Sequence, residues 1–262
     1  MELFVREYQA GAQGGPTLVL LHGFPVDHRM FNAMAGHLDP RARVLAVDLP
    51  GLGGSREVLP EVATLDESAR LVLAAINGRV RGPLIVAGLS MGGYVAQAIA
   101  ARAPGQLAGL ILLDTRMTAD QPGAAKNRLE VASRARAEGS SEVVAPMAQA
   151  TLAPDTRANR PDVVEFMESL IADQTGAGVA WSQVAMSVRP DRADVIAHLD
   201  CELLVIVGEA DEISPVDVMT ELARTAQRAV VEVVPDAGHM TPVEQPAAVA
   251  KLINAFLTRV SP

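Results

Sequence analysis

The sequence predicts an α/β protein with a mostly parallel central sheet, helices on both faces, and a helical cap inserted between two strands. Three observations carry this reading. Short runs rich in Val, Ile and Leu recur at 17–21, 44–47, 84–87, 107–113, 203–207 and 230–234, and runs apolar on both faces are what buried parallel strands look like. Amphipathic helical patterns lie between them at 30–38, 65–77, 91–103, 216–225 and 242–257, so strand alternates with helix and the connections must cross over. From about residue 116 to about residue 196 the rhythm fails and only helical spacing remains.

Taken in order, residues 1–7 alternate charged and apolar side chains and read as a first strand, without the basic-then-apolar pattern of a signal peptide. The buried runs at 17–21, 44–47, 84–87 and 107–113 follow, each leading into a turn and then a helical pattern. Within the helical stretch, segments 123–138, 141–152, 161–173 and 178–188 carry apolar residues at helical spacing. A structureless excursion of roughly 80 residues would be unusual inside a compact domain. The predicted organisation is therefore a core of residues 1–115 and 197–262, with 116–196 as a cap over the ligand crevice.

With 49% hydrophobic and 20% charged residues, the chain has enough apolar surface to pack a core. No apolar run reaches the roughly 18–20 residues that span a bilayer. A net charge of −9 argues against nucleic acid or an anionic membrane as partner. Cys201 is the single cysteine and cannot form an internal disulfide, so a reducing cytoplasm is the expected compartment.

The sharpest local signal is Gly88-Leu89-Ser90-Met91-Gly92, a G-x-S-x-G pattern between a strand-like run and a helical one. A nucleophile on so tight a turn leaves no room for side chains on either flank, and the helix beyond aims its N–H groups at the site. Serine needs a base. Of the five histidines, His239 follows the 230–234 run, whereas His198 precedes a strand and reads as a solvated loop residue. The base needs an acid to fix its tautomer. Asp211 follows the 203–207 run, giving the order Ser90, Asp211, His239, each past its own strand. Asp114, which closes the 107–113 run, is the rival for the acid. The N–H groups of Phe24, in His22-Gly23-Phe24, and of Met91 are the expected oxyanion donors. His22, His28 and His37 lack the spacing of paired metal ligands, and Asp48–Ser55 lacks the ending of a nucleotide loop, so neither a metal nor another cofactor is expected.

In five ordered motifs the sequence resembles the α/β-hydrolase superfamily: His22-Gly23-Phe24, Asp48–Ser55, Gly88–Gly92, 208–215 and Gly238-His239. Within it, the chain looks like the bacterial esterase and lactonase branch that includes 3-oxoadipate enol-lactonase and cofactor-free haloperoxidase-like esterases. The resemblance implies the fold, the triad and a helical cap after Asp114. A small ester or lactone is the implied substrate. Serine at position 90 suits an acyl-enzyme, not the alkyl-enzyme of aspartate nucleophiles. Met147, Met167, Trp181, Met186 and Met240 are the candidate pocket lining, because methionine adapts to varied apolar shapes. Arg116 and Arg189, at the cap's flanks, are weaker candidates for holding a substrate carboxylate. Three functions stay open: an esterase or lactonase, a carbon–carbon bond hydrolase with the same triad, and a ligand receptor on the hydrolase fold.

Overall fold

The computed structural model describes residues 2–260; Met1, Ser261 and Pro262, which fall within the first strand and the core as read from sequence, lie outside the described residues. In chain order the elements are β1 (Val5–Gln9), β2 (Thr17–Leu21), α1 (Asn32–Ala35), β3 (Arg43–Val47), α2 (Leu65–Ile76), β4 (Leu84–Leu89), α3 (Met91–Arg102) and β5 (Gly109–Leu113). Then come α4 (Pro122–Glu138), α5 (Met147–Ala150), α6 (Pro154–Asn159), α7 (Pro161–Ala172), α8 (Gly176–Ser187) and α9 (Ala193–Ala197). The chain returns to the sheet at β6 (Glu202–Gly208) and ends with α10 (Val216–Thr225), β7 (Ala229–Val234), α11 (Thr241–Glu244) and α12 (Pro246–Val260).

The seven strands lie in the order β1-β3-β2-β4-β5-β6-β7. β1 runs antiparallel to β3, and every other pair is parallel. Every residue of β2, β3, β4 and β5 is buried, which is why those segments read as continuous apolar runs. β7, at the sheet's edge, is only half-buried. Helices cover both faces: α2 packs on α3 over β4, while α12 approaches β5 closely enough that a Cβ on Gly109 would meet the Phe256 ring at 2.6 Å. Truncating a side chain such as Ile85 or Ile111, both fully buried, would remove about 2–5 kcal/mol of stability.

Local signals set the ends of several helices. The Thr64 hydroxyl accepts from the Glu67 N–H at 3.1 Å, with Asp66 and Glu67 in the first turn of α2, satisfying an otherwise orphan donor. α4 stops at Gly139, whose φ of 68° is left-handed. Six helices, α4 to α9, lie between Asp114 and β6, and the last of them, α9, packs against α3 and α10.

Three expected helices come out shorter or broken. Residues 30–38 form a 3-10 turn, His28–Phe31, and the single turn of α1. The stretch 141–152 is a 3-10 turn and α5, separated around Pro146, and 242–257 divides at Gln245 before Pro246. Proline has no N–H to continue the ladder and clashes with the preceding turn. The sequence reading passed over α6 and α9, each of six residues or fewer.

Candidate active site

The strands place the candidate residues at one edge of the sheet. β4 ends at Leu89, so Ser90 stands at the turn into α3, with φ 52° and ψ −112°. A non-glycine residue in such a conformation is held there by its surroundings. Here the Ser90 N–H donates to the Leu113 carbonyl at 2.9 Å, and the Ser90 carbonyl accepts from the Thr115 hydroxyl at 2.8 Å. A Cβ on Gly88 would fall on the Gly92 carbonyl, and one on Gly92 would fall on the Leu21 carbonyl. The two flanking glycines are thus a steric requirement of the turn.

His239 lies past β7 and Asp211 past β6. The Ser90 Oγ and His239 Nε2 are 2.8 Å apart, and His239 Nδ1 is 2.8 Å from Asp211 Oδ2. The other Asp211 oxygen, Oδ1, accepts from the N–H groups of Ile213 and Ser214 at 2.8 and 3.0 Å. Burial pushes the Asp211 carboxyl up, but the hydrogen bond and charge of His239, helped by those two N–H groups, outweigh it and hold it below the usual range. The Asp211 carboxylate is fully buried and the His239 ring nearly so.

Asp114 takes a different place. It too has a left-handed φ, 45°, and is fully buried. Its Oδ1 accepts from the Gly208 N–H at 2.9 Å, and its Oδ2 pairs with the Thr241 hydroxyl at 2.5 Å. It therefore ties β5 to the end of β6 and to α11. Burial and the nearby Asp211 charge, against its two hydrogen bonds, push its carboxyl well above the ordinary range.

The Phe24 and Met91 N–H groups make no hydrogen bond to another described residue. His22 governs the first of them. Its Nδ1 meets the Gly23 carbonyl at 2.8 Å and its Nε2 accepts from the Leu49 N–H at 2.8 Å, so Nδ1 carries the proton. Within one trans peptide unit the C=O and the N–H point opposite ways. Turning the Gly23 carbonyl towards His22 therefore aims the Phe24 N–H away from it. Burial lowers the His22 pKa, which keeps Nε2 free to accept.

Glu244 was not singled out from sequence. Only 1% exposed, it accepts at Oε1 from Gly238 (2.9 Å) and Met240 (3.3 Å), and at Oε2 from the Ala153 N–H of the cap (2.8 Å). The His239 N–H donates to the Thr151 carbonyl, also in the cap, at 2.9 Å. Gly238 lets the two segments come this close, since a Cβ there would meet the Ala153 nitrogen at 2.5 Å.

A cavity of about 350 Å³ opens beside Phe24, between α4 and the 3-10 turn that precedes α5. Phe24, Val131, Val143 and Met147 give it apolar walls, and Asn127, Arg128 and Gln183 give it a polar one. Of the residues expected to line the pocket, Met147 borders this cavity. Met167, Trp181, Met186 and Met240 are buried and do not line this cavity. Their volume fills the interior, with the Trp181 indole donating to the Pro60 carbonyl at 2.8 Å and the Met186 sulfur facing Arg128 at 3.5 Å. Arg116 is occupied by the Ile213 carbonyl and Arg189 by Asp120.

Asp27, His28 and Asp48 are the group of three potential metal ligands among the described residues, which spacing alone did not reveal. Their oxygens are already engaged: Asp48 by the His28 ring and the His28 and Gly54 N–H groups, Asp27 by Arg29 and Gln174. This set serves as a hydrogen-bonded bracket between core and cap. His198 is exposed, with its Nδ1 on the Asp194 carbonyl.

A sheet of this order, with a serine at the turn after its central strand and a helical insertion after β5, defines the α/β-hydrolase fold. The sequence profile described as "Alpha/beta hydrolase family" matches residues 18–252. The chain belongs to that family. It superposes on a thermophilic esterase from Thermogutta terrifontis, solved with malate bound, with a TM-score of 0.92 and 39% identity, over 99% of this chain and 94% of the other. It is 31% identical over 97% of its length to the dihydrolipoyllysine-residue acetyltransferase component of the acetoin cleaving system of Pseudomonas putida, spanning 67% of that protein. To the 2-succinyl-6-hydroxy-2,4-cyclohexadiene-1-carboxylate synthase of Enterobacter sp. strain 638 it is also 31% identical, over 95% of this chain and 94% of that one.

Proposed function

We propose that the protein is a carboxylic ester hydrolase that works through an acyl-enzyme on Ser90. The observation that carries this is the unbroken relay from Asp211 Oδ2 through both ring nitrogens of His239 to Ser90 Oγ, with each link at 2.8 Å. The 39% identity to the Thermogutta esterase supports ester hydrolysis as the reaction class.

In the first half-reaction His239 Nε2 takes the Ser90 proton as Oγ bonds to the ester carbon. The carbonyl oxygen gains negative charge, and the Phe24 and Met91 N–H groups receive it. Asp211 holds Nδ1–H in place and stabilises the imidazolium. When the C–O bond to the alcohol breaks, His239 returns the proton to the departing oxygen. Water then repeats the sequence, with His239 taking its proton, and releases the acid and free Ser90. A lactone is the same bond closed into a ring and would follow the same steps. The apolar walls at Val131, Val143 and Met147 suit a small acyl or alcohol group.

Turnover of a p-nitrophenyl ester series by the parent protein and by Ser90→Ala tests this. The variant should lose about 10⁴-fold or more in kcat, and a phosphonate probe should label the parent at Ser90 alone. Substantial turnover by Ser90→Ala would refute the acyl-enzyme, and a folded parent that turned over no ester would favour a receptor.

A further inference from the structure

The charge in the cavity beside Phe24 is opposite to that of the whole chain. Net charge is −9, yet among the side chains lining this space the one formal charge is a cation, Arg128. The ion pairs behind it do not cancel that charge. Asp120 Oδ2 accepts from Arg128 Nε at 2.5 Å, and Asp120 Oδ1 accepts from Arg189 Nη1 at 2.7 Å. One carboxylate thus serves two guanidinium groups, which leaves a positive charge over.

Burial decides which of the two can offer it. The Arg189 side chain is 5% exposed, with its guanidinium lying over the Tyr94 ring at 4.2 Å. That cation is committed to the protein interior. Arg128 is 24% exposed. Its Nε is on Asp120 and its Nη1 on Gln183 Oε1 at 3.1 Å, while its Nη2 has no hydrogen-bond partner among the described residues. The guanidinium is therefore held at Nε and at Nη1, which also faces the Met186 sulfur at 3.5 Å, so its direction is set and the Nη2 donors are left over. A cation held in this way can offer Nη2 to a carboxylate in a charge-assisted hydrogen bond. Asn127 and Gln183, on the same wall, can add neutral donors.

We propose that the favoured substrates carry a second, ionised carboxylate at the far end of a short acyl chain: half-esters of dicarboxylic acids, with the distal carboxylate on Arg128. The chain between the two ends would lie along Val131, Val143 and Met147, and the scissile carbonyl would sit at the Phe24 N–H. This rests on the ester-hydrolase reading above and specifies its substrate class.

The test compares mono-p-nitrophenyl esters of glutaric and adipic acids with p-nitrophenyl esters of neutral acids of the same chain length. The measured quantity is the ratio of kcat/KM for the charged ester to that for the neutral one, so effects on shared steps cancel. The parent should favour the half-ester, and Arg128→Gln should lower the ratio roughly 10- to 100-fold, as expected for loss of a hydrogen-bonded charge pair. Arg128→Lys, which keeps the charge but not the fork, should recover part of it. A second arm needs no variant: glutarate and adipate should compete with the neutral ester for the parent protein far better than valerate and hexanoate. A parent that prefers the neutral ester and ignores the diacids refutes the proposal, and so does a ratio unmoved in a folded Arg128→Gln protein. Either result leaves ester hydrolysis standing, whereas loss of turnover on every ester would remove the underlying reading.

Discussion

Replacing Asp211 with Asn would change one atom, and the structure determines where that atom would go. The two ends of an amide are not equivalent in this site. Oδ1 accepts from the Ile213 and Ser214 N–H groups at 2.8 and 3.0 Å, so the amide oxygen must stay there, since an NH2 would face two donors. The NH2 group then occupies the position of Oδ2, 2.8 Å from His239 Nδ1. It would donate to that nitrogen and leave the ring proton on Nε2, where it points at Ser90 Oγ. In that tautomer His239 cannot accept the serine proton. The expected loss is about 10⁴-fold in kcat, or about 5.4 kcal/mol at 1.36 kcal/mol per decade, with the fold retained because every backbone donor keeps its partner. Asp114→Asn is the matched control. Its amide oxygen can accept from Gly208, and its NH2 can keep the contact with the Thr241 hydroxyl by donating to it, the reverse of the bond in the parent. Steady-state kinetics on p-nitrophenyl acetate and thermal melting of both variants provide the assay. An Asp211→Asn enzyme within tenfold of the parent, or an Asp114→Asn enzyme as crippled as the Asp211 variant is expected to be, would refute the reasoning.

Three further outcomes are expected. His22→Ala should lower kcat by roughly 10- to 100-fold with less effect on KM, because the Phe24 N–H loses its aim while remaining present; kinetics on a neutral ester check this. Glu244→Gln must turn its NH2 towards at least one of the donors at Gly238, Met240 or Ala153, so denaturant unfolding should show a loss of about 1–3 kcal/mol. Asp114, whose carboxyl is raised, keeps its proton in the native state at pH values where the unfolded chain releases it. Its contribution is full below the unfolded value of about 4 and falls as pH rises towards the folded value. The Asp114→Asn protein should therefore lose less stability than the parent as pH rises above about 4, measured by melting across that window.

The core strands were legible because burial on both faces leaves a local mark, as in the all-buried β2 and β4. The shared location of Ser90, Asp211 and His239 was legible because each stands just past a strand, β4, β6 or the half-buried β7, and parallel strands end on the same side. Helix ends at Pro146 and Pro246 were misplaced because apolar spacing continues across a proline that the backbone cannot accommodate. The partners of Glu244 and Asp114 left no local mark. Ala153 and Glu244 are 91 positions apart, and Asp114 and Thr241 are 127 apart, so only the folded chain brings them together. Likewise Met167 and Met186 carry the composition of a pocket, and only the packing of α4 on α8 shows that Arg128 and Gln183 face the cavity instead.

The contacts of Thr151 and Ala153 also limit how this protein could be rebuilt. Insertions of this sort invite treatment as cassettes, to be exchanged between scaffolds so that one chemistry acquires another selectivity. Here the seam passes through the backbone of His239, the base in the proposed mechanism. A transplanted segment must present a carbonyl to the His239 amide and an amide to Glu244, at the positions where Thr151 and Ala153 now present them. A graft that omitted either would bury an unmatched polar group beside the imidazole, at about 1–3 kcal/mol for each. That energy would be lost at the residue whose alignment the proposed reaction needs most. On the proposed reading, selectivity is better altered from within, at Val131, Val143 or Met147, than by replacing the whole cap.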